Sequence, residues 1–227
     1  MTFTDYLYDK GKAIWQAQVE HPFVQGIGHG NLDKEKFRFY MVQDYIYLVE
    51  YAKLFAIGAL KASDVDDMRH FTKLQDAILN YEMKLHIDYC KQFGITEQEL
   101  KEAKPAETML AYTHYMLHQS QNGGLAELLA ALLPCIWGYH YIGVEISKID
   151  GAKDHEFYGN WVKMYESEEF GHLSIWVKDK LNEIVLYKSE EEKKRLEEIF
   201  LTTSKFEYMF WEMAWNQTLW PEAIEQL

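Results

Sequence analysis

The sequence predicts an all-α protein, a single-domain helical bundle spanning residues 1–227, on three observations. Apolar residues recur at helical spacing nearly throughout. Strand alternation bounded by turn residues is hard to find. Glycine and proline fall where helices start and stop. The 227 residues are 48% hydrophobic and 15% aromatic, which is enough to bury a sizeable core, and no repeat, low-complexity tract or linker divides them.

Thr4 opens an amphipathic stretch that runs to about Val19 and stops before His21-Pro22. Gly26-Ile27-Gly28-His29-Gly30 then reads as a connector. It lacks the Lys-Ser/Thr ending of a phosphate-binding loop, and no strand precedes it. Asn31 or Asp33 caps a long second helix to about Ala62, and Asp64 starts a third that runs to about Phe93, before Gly94. Thr96-Glu97-Gln98-Glu99 has the form of a capping box for a short helix. Pro105 begins the next, which ends at Gln121-Asn122-Gly123-Gly124. Leu125 to Ser147 reads as a helix broken at Pro134, and the loop Asp150–Asp154 leads to shorter helices up to about Lys188. Ser189 caps a last long helix through about Met213, with a short tail past Trp220-Pro221.

Charge and cysteine usage exclude several classes of partner. A net charge of -13 argues against nucleic acid or an anionic membrane, both of which need clustered Lys and Arg, while a cationic ligand is tolerated. The two cysteines, Cys90 and Cys135, form neither a disulfide framework nor a zinc pattern, which suits a reducing compartment. The start Met1-Thr2-Phe3-Thr4 lacks a signal peptide's basic and apolar regions, and the longest apolar run, Leu128 to Tyr139, is shorter than the roughly 20 residues that span a bilayer. A soluble cytoplasmic protein is the expectation.

Polar residues on otherwise apolar helix faces mark the candidate site. Leu128 to Tyr139 places Cys135 directly after Pro134, where the missing backbone donor is expected to kink the helix and aim the thiol into a cavity. A buried free cysteine is also an ordinary core residue, so its neighbours decide the matter. Cys135 shares a face with Tyr139, and Asp44, Tyr47 and Tyr51 fall on one stripe of the second helix. Glu207 stacks with Phe210 and Trp211 among further aromatics, and a carboxyl pointing inward there is desolvated and pushed toward acid–base use. Two metal-like spacings are also present, Glu169-x-x-His172 and Glu82 four residues before His86. A carboxylate-bridged di-iron bundle needs the Glu-x-x-His motif twice, and here it occurs once, so no metal or haem is expected.

Four runs together resemble the TenA family of thiaminase II enzymes, also called aminopyrimidine aminohydrolases. These are Gln43-Asp44-Tyr45-Ile46-Tyr47-Leu48, Pro134-Cys135-Ile136-Trp137-Gly138-Tyr139 with Gly143 after it, Tyr165-Glu166-Ser167-Glu168-Glu169-Phe170, and Phe206-Glu207-Tyr208-Met209-Phe210-Trp211. The resemblance covers essentially the whole chain in the right order. It implies a haem-oxygenase-like bundle working without haem, usually as a homotetramer, and needing no metal or organic cofactor. The implied reaction hydrolyses the bond between the 5-methylene carbon of a 4-amino-2-methylpyrimidine and its leaving group. That group is ammonia in the aminomethylpyrimidine and the thiazole in thiamin, and both routes return hydroxymethylpyrimidine to thiamin salvage. The resemblance further implies that Cys135 adds to ring carbon 6 while Glu207 moves protons, and that Asp44 grips the 4-amino group and its adjacent ring nitrogen. Tyr165 would hold Glu207, Tyr47, Tyr112 and Tyr139 would line the ring edge and thiol, and Phe210 would stack on the ring. Two other classes remain open at this point: a pyrimidine-binding or regulatory protein without catalysis, and a haem- or iron-using oxidase on the same bundle.

Overall fold

Local capping sets most of the helix starts. In this computed structural model, which describes residues 1–221, Thr2 and Asp5 form a reciprocal capping box that opens α1 (Phe3–Val19), two residues before the expected Thr4. The tail expected past Pro221 lies outside the described residues. The glycine-containing stretch expected to be a connector is instead mostly helical, as α2 (Pro22–Gly28). Pro22 sits at its first turn, where no donor is needed, and the His21 ring nitrogen accepts from the Phe23 amide at 3.1 Å. Asp33 caps α3 (Lys34–Lys61), and Asp64 caps α4 (Val65–Ala77) through the amides of Asp66 and Asp67.

The helical run that starts at Asp64 carries one irregularity. After α4 comes a π-turn, Ile78–Glu82, in which the Met83 amide donates to the Ile78 carbonyl, and α5 (Met83–Gln92) follows without a break. Such a turn holds one residue more than α geometry and changes which side chains face inward. Gly94, at φ +76, ends the run. The Thr96–Glu99 capping box opens α6 (Glu97–Glu102). Next, α7 (Glu107–Asn122) starts where the Gln43 amide clamps the backbone, accepting from Ala106 N at 2.8 Å and donating to Lys104 O at 3.1 Å.

Pro134 does not break its helix. α8 (Leu125–Ile146) continues through it, with nearly every side chain from Ala126 to Tyr139 buried. Proline removes a single helical hydrogen bond, and the core contacts along this stretch, at ~1.5–3 kcal/mol for each large apolar side chain, outweigh that loss. The Tyr51 hydroxyl also donates to the Leu132 carbonyl at 2.9 Å, beside the proline. After a 3-10 turn at Ala152–Asp154 come α9 (Gly159–Glu166), α10 (Glu168–Val185) and α11 (Glu190–Asn216). Among the described residues there is no strand.

α8 is the central post: α11, α10, α9, α7, α3, α1 and α2 all pack on it, and one contiguous apolar cluster runs through the bundle. By length and composition this helix could cross a membrane, yet 78% of its apolar window is buried inside the molecule. Gly143 allows the closest approach. A Cβ there would lie 2.5 Å from the carbonyl carbon of Tyr165, so only glycine lets α9 press Tyr165 against α8.

Candidate active site

Six helices and the π-turn converge on a buried polar cluster. α3 supplies Asp44, Tyr47 and Tyr51, the π-turn and α5 supply Glu82 and His86, and α7 supplies Tyr112. α8 supplies Cys135 and Tyr139, α9 supplies Tyr165, and α11 supplies Glu207 and Phe210. Every one is buried, Cys135 at 7% exposure and Glu207 and Asp44 at 2% each. Groups this polar stay in a core only when they bond to one another.

Two hydrogen-bonded arms make up the cluster, and the first reaches the thiol. In the first, the Tyr112 hydroxyl donates to Glu207 Oε1, and Tyr47 donates to Tyr112 at 3.4 Å. The Tyr47 hydroxyl is also within reach of Cys135, as is Glu207. In the second, Tyr165 donates to Glu82 Oε1 at 2.7 Å, and His86 Nε2 lies 2.6 Å from Asp44 Oδ2. His86 Nδ1 faces the Glu82 backbone carbonyl at 2.8 Å. A carbonyl can only accept, so Nδ1 carries a proton, and the Asp44–His86 contact shares a further one. Aromatic rings wall both arms: Phe210 meets Tyr47 edge-on at 5.7 Å and Tyr40 at 6.1 Å, while Tyr139 packs on Tyr165 at 4.8 Å.

Burial dominates the electrostatics. Glu207 is raised to about 8 by desolvation, against the pull of Tyr112 and with the Asp44 charge adding to it. Desolvation likewise raises Glu82 to about 7, although His86 and the Tyr165 hydroxyl lower it. Burial, then the Glu207 and Glu82 charges, hold the Cys135 thiol well above the usual thiol range. Burial pulls the His86 imidazole down, but the Asp44 charge and hydrogen bond, together with Glu82, leave it raised overall. The buried tyrosines are all pushed up and remain neutral donors. Acid and thiol titrate as a coupled group, and the chamber holds more protons near neutrality than its residue types alone would indicate.

All eight residues singled out in the sequence, Asp44, Tyr47, Tyr112, Cys135, Tyr139, Tyr165, Glu207 and Phe210, fall in or against this cluster. One pairing differs from the implied one. Tyr165 holds Glu82, and Tyr112 holds Glu207, because α7 packs beside α11 whereas the end of α9 lies across a cavity from the π-turn. Glu82 and His86 were missed as site residues. Their four-residue spacing was legible only as a possible metal motif, yet it sets both side chains against Tyr165 and Asp44. Tyr40 was missed too: it donates to the Tyr139 hydroxyl at 3.3 Å and accepts from Trp161 Nε1 at 3.4 Å. The other metal-like pair, Glu169 and His172, is exposed, and among the described residues no group of three or more His, Cys, Asp or Glu side chains could hold a metal ion.

A helical bundle enclosing a thiol, a carboxyl held by tyrosine and an Asp–His pair defines the class. A model described as the TENA/THI-4/PQQC family matches residues 8–217, and the chain belongs to that family. It is 52% identical over 220 residues to a protein of Halalkalibacterium halodurans named aminopyrimidine aminohydrolase, covering 97% of this chain and 98% of that one. A Helicobacter pylori protein of the same name is 45% identical over 216 residues, covering 95% and 100%. Among solved structures, a TenA homologue from P. horikoshii OT3 superposes with a TM-score of 0.86 at 33% identity, over 95% of this chain and 99% of its own. The bundle has the haem-oxygenase-like fold, shared at TM-score 0.75 and 16% identity with a Shewanella denitrificans domain so described, over 94% and 92% of the chains.

Proposed function

We propose that this chain is an aminopyrimidine aminohydrolase, or thiaminase II, that uses Cys135 as nucleophile to convert 4-amino-5-aminomethyl-2-methylpyrimidine, and thiamin, to the 5-hydroxymethyl pyrimidine. One observation carries the reading: the Cys135 thiol and the Glu207 carboxyl, raised to about 8, lie together in a buried, aromatic-walled cluster that also holds Asp44. The proteins of that name from Halalkalibacterium halodurans and Helicobacter pylori, similar over nearly their full length, support it.

The chemistry follows from the protonation states. The protonated Glu207 gives its proton to the ring nitrogen and takes the thiol proton as sulfur bonds to ring carbon 6. The carboxyl therefore ends the step as it began, and the ring becomes an enamine. Its electron pair expels the leaving group from the methylene carbon, an ammonium departing as ammonia or a thiazolium as neutral thiazole. Water adds to the exposed methylene and loses a proton. The carbon–sulfur bond then breaks, and the ring-nitrogen proton returns through Glu207 to the thiol. Asp44 accepts from the 4-amino group and fixes the ring, with its own position set by His86. Phe210 and the tyrosines supply flat apolar walls and exclude water. We propose further that the enzyme acts in the cytoplasm as a homotetramer.

Product analysis with each substrate in the presence of a chelator tests the reading. Hydroxymethylpyrimidine with ammonia or thiazole is expected, with no effect of chelation. Cys135→Ser should lose nearly all turnover and still bind product, whereas Cys90→Ser should remain active. Stoichiometric iron in the purified protein, or a fully active Cys135 variant, would overturn it.

A further inference from the structure

Beside the buried cluster, a cavity of about 250 Å³ opens between the π-turn and the α9–α10 junction. Ile78, Met164, Phe170 and Leu173 make its walls, Glu169 stands at its lip, and Glu82 reaches it from the core. Glu82 is only 6% exposed. One of its oxygens accepts from Tyr165, and among the described residues the other accepts no hydrogen bond. That second oxygen is not fully enclosed and Glu82 lines the cavity, so a carboxylate oxygen without a protein donor is presented at the base of an apolar and aromatic cavity, an arrangement suited to a positive charge carried on an apolar group.

The same carboxylate joins this cavity to the chamber. Tyr165, which holds Glu82, packs on Tyr139 on one side and meets Phe170 edge-on at 5.0 Å on the other. On the chamber side Asp44 is paired with His86 and Glu207 is held protonated, so among the described residues Glu82 is the acid there whose charge has no cationic partner. Glu82 is near enough to the thiol for its charge to help raise Cys135, so the base of the cavity borders the reacting end of the chamber.

We propose, resting on the aminopyrimidine reading above, that this cavity is the leaving-group subsite and that Glu82 selects substrates whose leaving group is a bulky cation. Ammonia alone needs little more than the roughly 30 Å³ of a water molecule, so the cavity has room for a substituted cationic ring. The charge is present only before the bond breaks: the departing nitrogen takes up the electron pair and becomes neutral. Glu82 therefore strengthens binding of the intact substrate and releases the product, acting on KM more than on kcat. It is a specificity-determining residue, distinct in role from Glu207.

Binding in a Cys135→Ser background separates this from the chemistry. Calorimetry would compare thiamin, whose leaving group is a permanent cation, with hydroxymethylpyrimidine, which carries the same ring and no leaving group. Glu82→Gln removes the charge, and Leu173→Trp fills the cavity, with Leu173→Phe in its place if the larger residue prevents folding. The ratio of thiamin affinity to alcohol affinity is expected to fall by roughly tenfold in each. A ratio that stays the same in either overturns the proposal. If the parent binds neither ligand, the aminopyrimidine reading itself fails, which is a different result.

Discussion

Burial and neighbouring acids hold the Cys135 thiol protonated, so its addition to a ring needs a partner that removes the proton as the bond forms. Glu207 is that partner, and Gln at this position keeps the shape while losing the transfer. Glu207→Gln is expected to bind hydroxymethylpyrimidine normally and to lose turnover by roughly 10²–10⁴. The wild-type rate should fall as pH rises through about 8, where Glu207 loses its proton, and the variant should lack that limb. Wild-type turnover with an unchanged pH profile in the variant would remove Glu207 from the mechanism. At Asp44, truncation to Ala leaves the ligand's 4-amino group without its charged acceptor and the His86 imidazole without its counter-charge. Affinity for the alcohol should drop by about 1.5–3 kcal/mol, the worth of a charge-assisted hydrogen bond. Unchanged affinity by calorimetry would make Asp44 a packing residue. These residues were legible because each is a polar side chain on an apolar helical stripe. Glu82 and His86 were not, because their importance lies in contacts with Tyr165 and Asp44, at sequence separations of 83 and 42 residues, which no local pattern encodes.

Helix starts are written locally, and the sequence therefore showed them well: the boxes at Thr96 and Ser189 and the caps at Asp33 and Asp64 stand where side chains next to the turn dictate. Two elements were not legible. Glycine-rich composition concealed α2, whose glycines serve close packing: a Cβ on Gly26 would lie 2.9 Å from Leu32. Nor did Pro134 predict its own tolerance, since that depends on the core surrounding α8. The π-turn has no glycine or proline to announce it, yet it decides where Glu82 points. Deleting Leu79, which is 43% exposed within that turn, should restore plain α geometry with the flanking helices in register. The expected outcome is a folded protein with unchanged helicity and Tm within a few degrees, but with kcat/KM for thiamin sharply reduced, mainly through a raised KM, as Glu82 leaves Tyr165. Full activity in that deletion would show that the turn is incidental to the site.

For the whole molecule, the chamber and the surface set opposite ends of the pH range of stability. The exposed caps Asp5, Glu99 and Glu192 are held below their ordinary values by backbone and side-chain hydrogen bonds. What they contribute is present above the unfolded value and lost as pH falls. The chamber works in the other direction. Glu207 at about 8 and Glu82 at about 7 both titrate near 4.5 when the chain unfolds, so above 4.5 the native state keeps protons that the unfolded chain releases. His86, raised above 6.5, adds to the same trend, its stabilisation complete below 6.5 and lost as pH rises through its folded value. Each retained proton costs stability at about 1.4 kcal/mol per pH unit across its window. The ligand-free protein should therefore lose several degrees of Tm between pH 6 and pH 9, a range in which the acidic caps are already fully ionised. Replacing Glu207 and Glu82 together with Gln removes two of the three groups and should flatten most of that slope, even if the absolute Tm shifts. Calorimetric melts at several pH values in low-salt buffer measure it directly. A wild-type Tm that is level or rising over this range, or an equal slope in the double variant, would mean that the chamber carboxyls are ionised in the resting protein and that the proton Glu207 is required to deliver is not there.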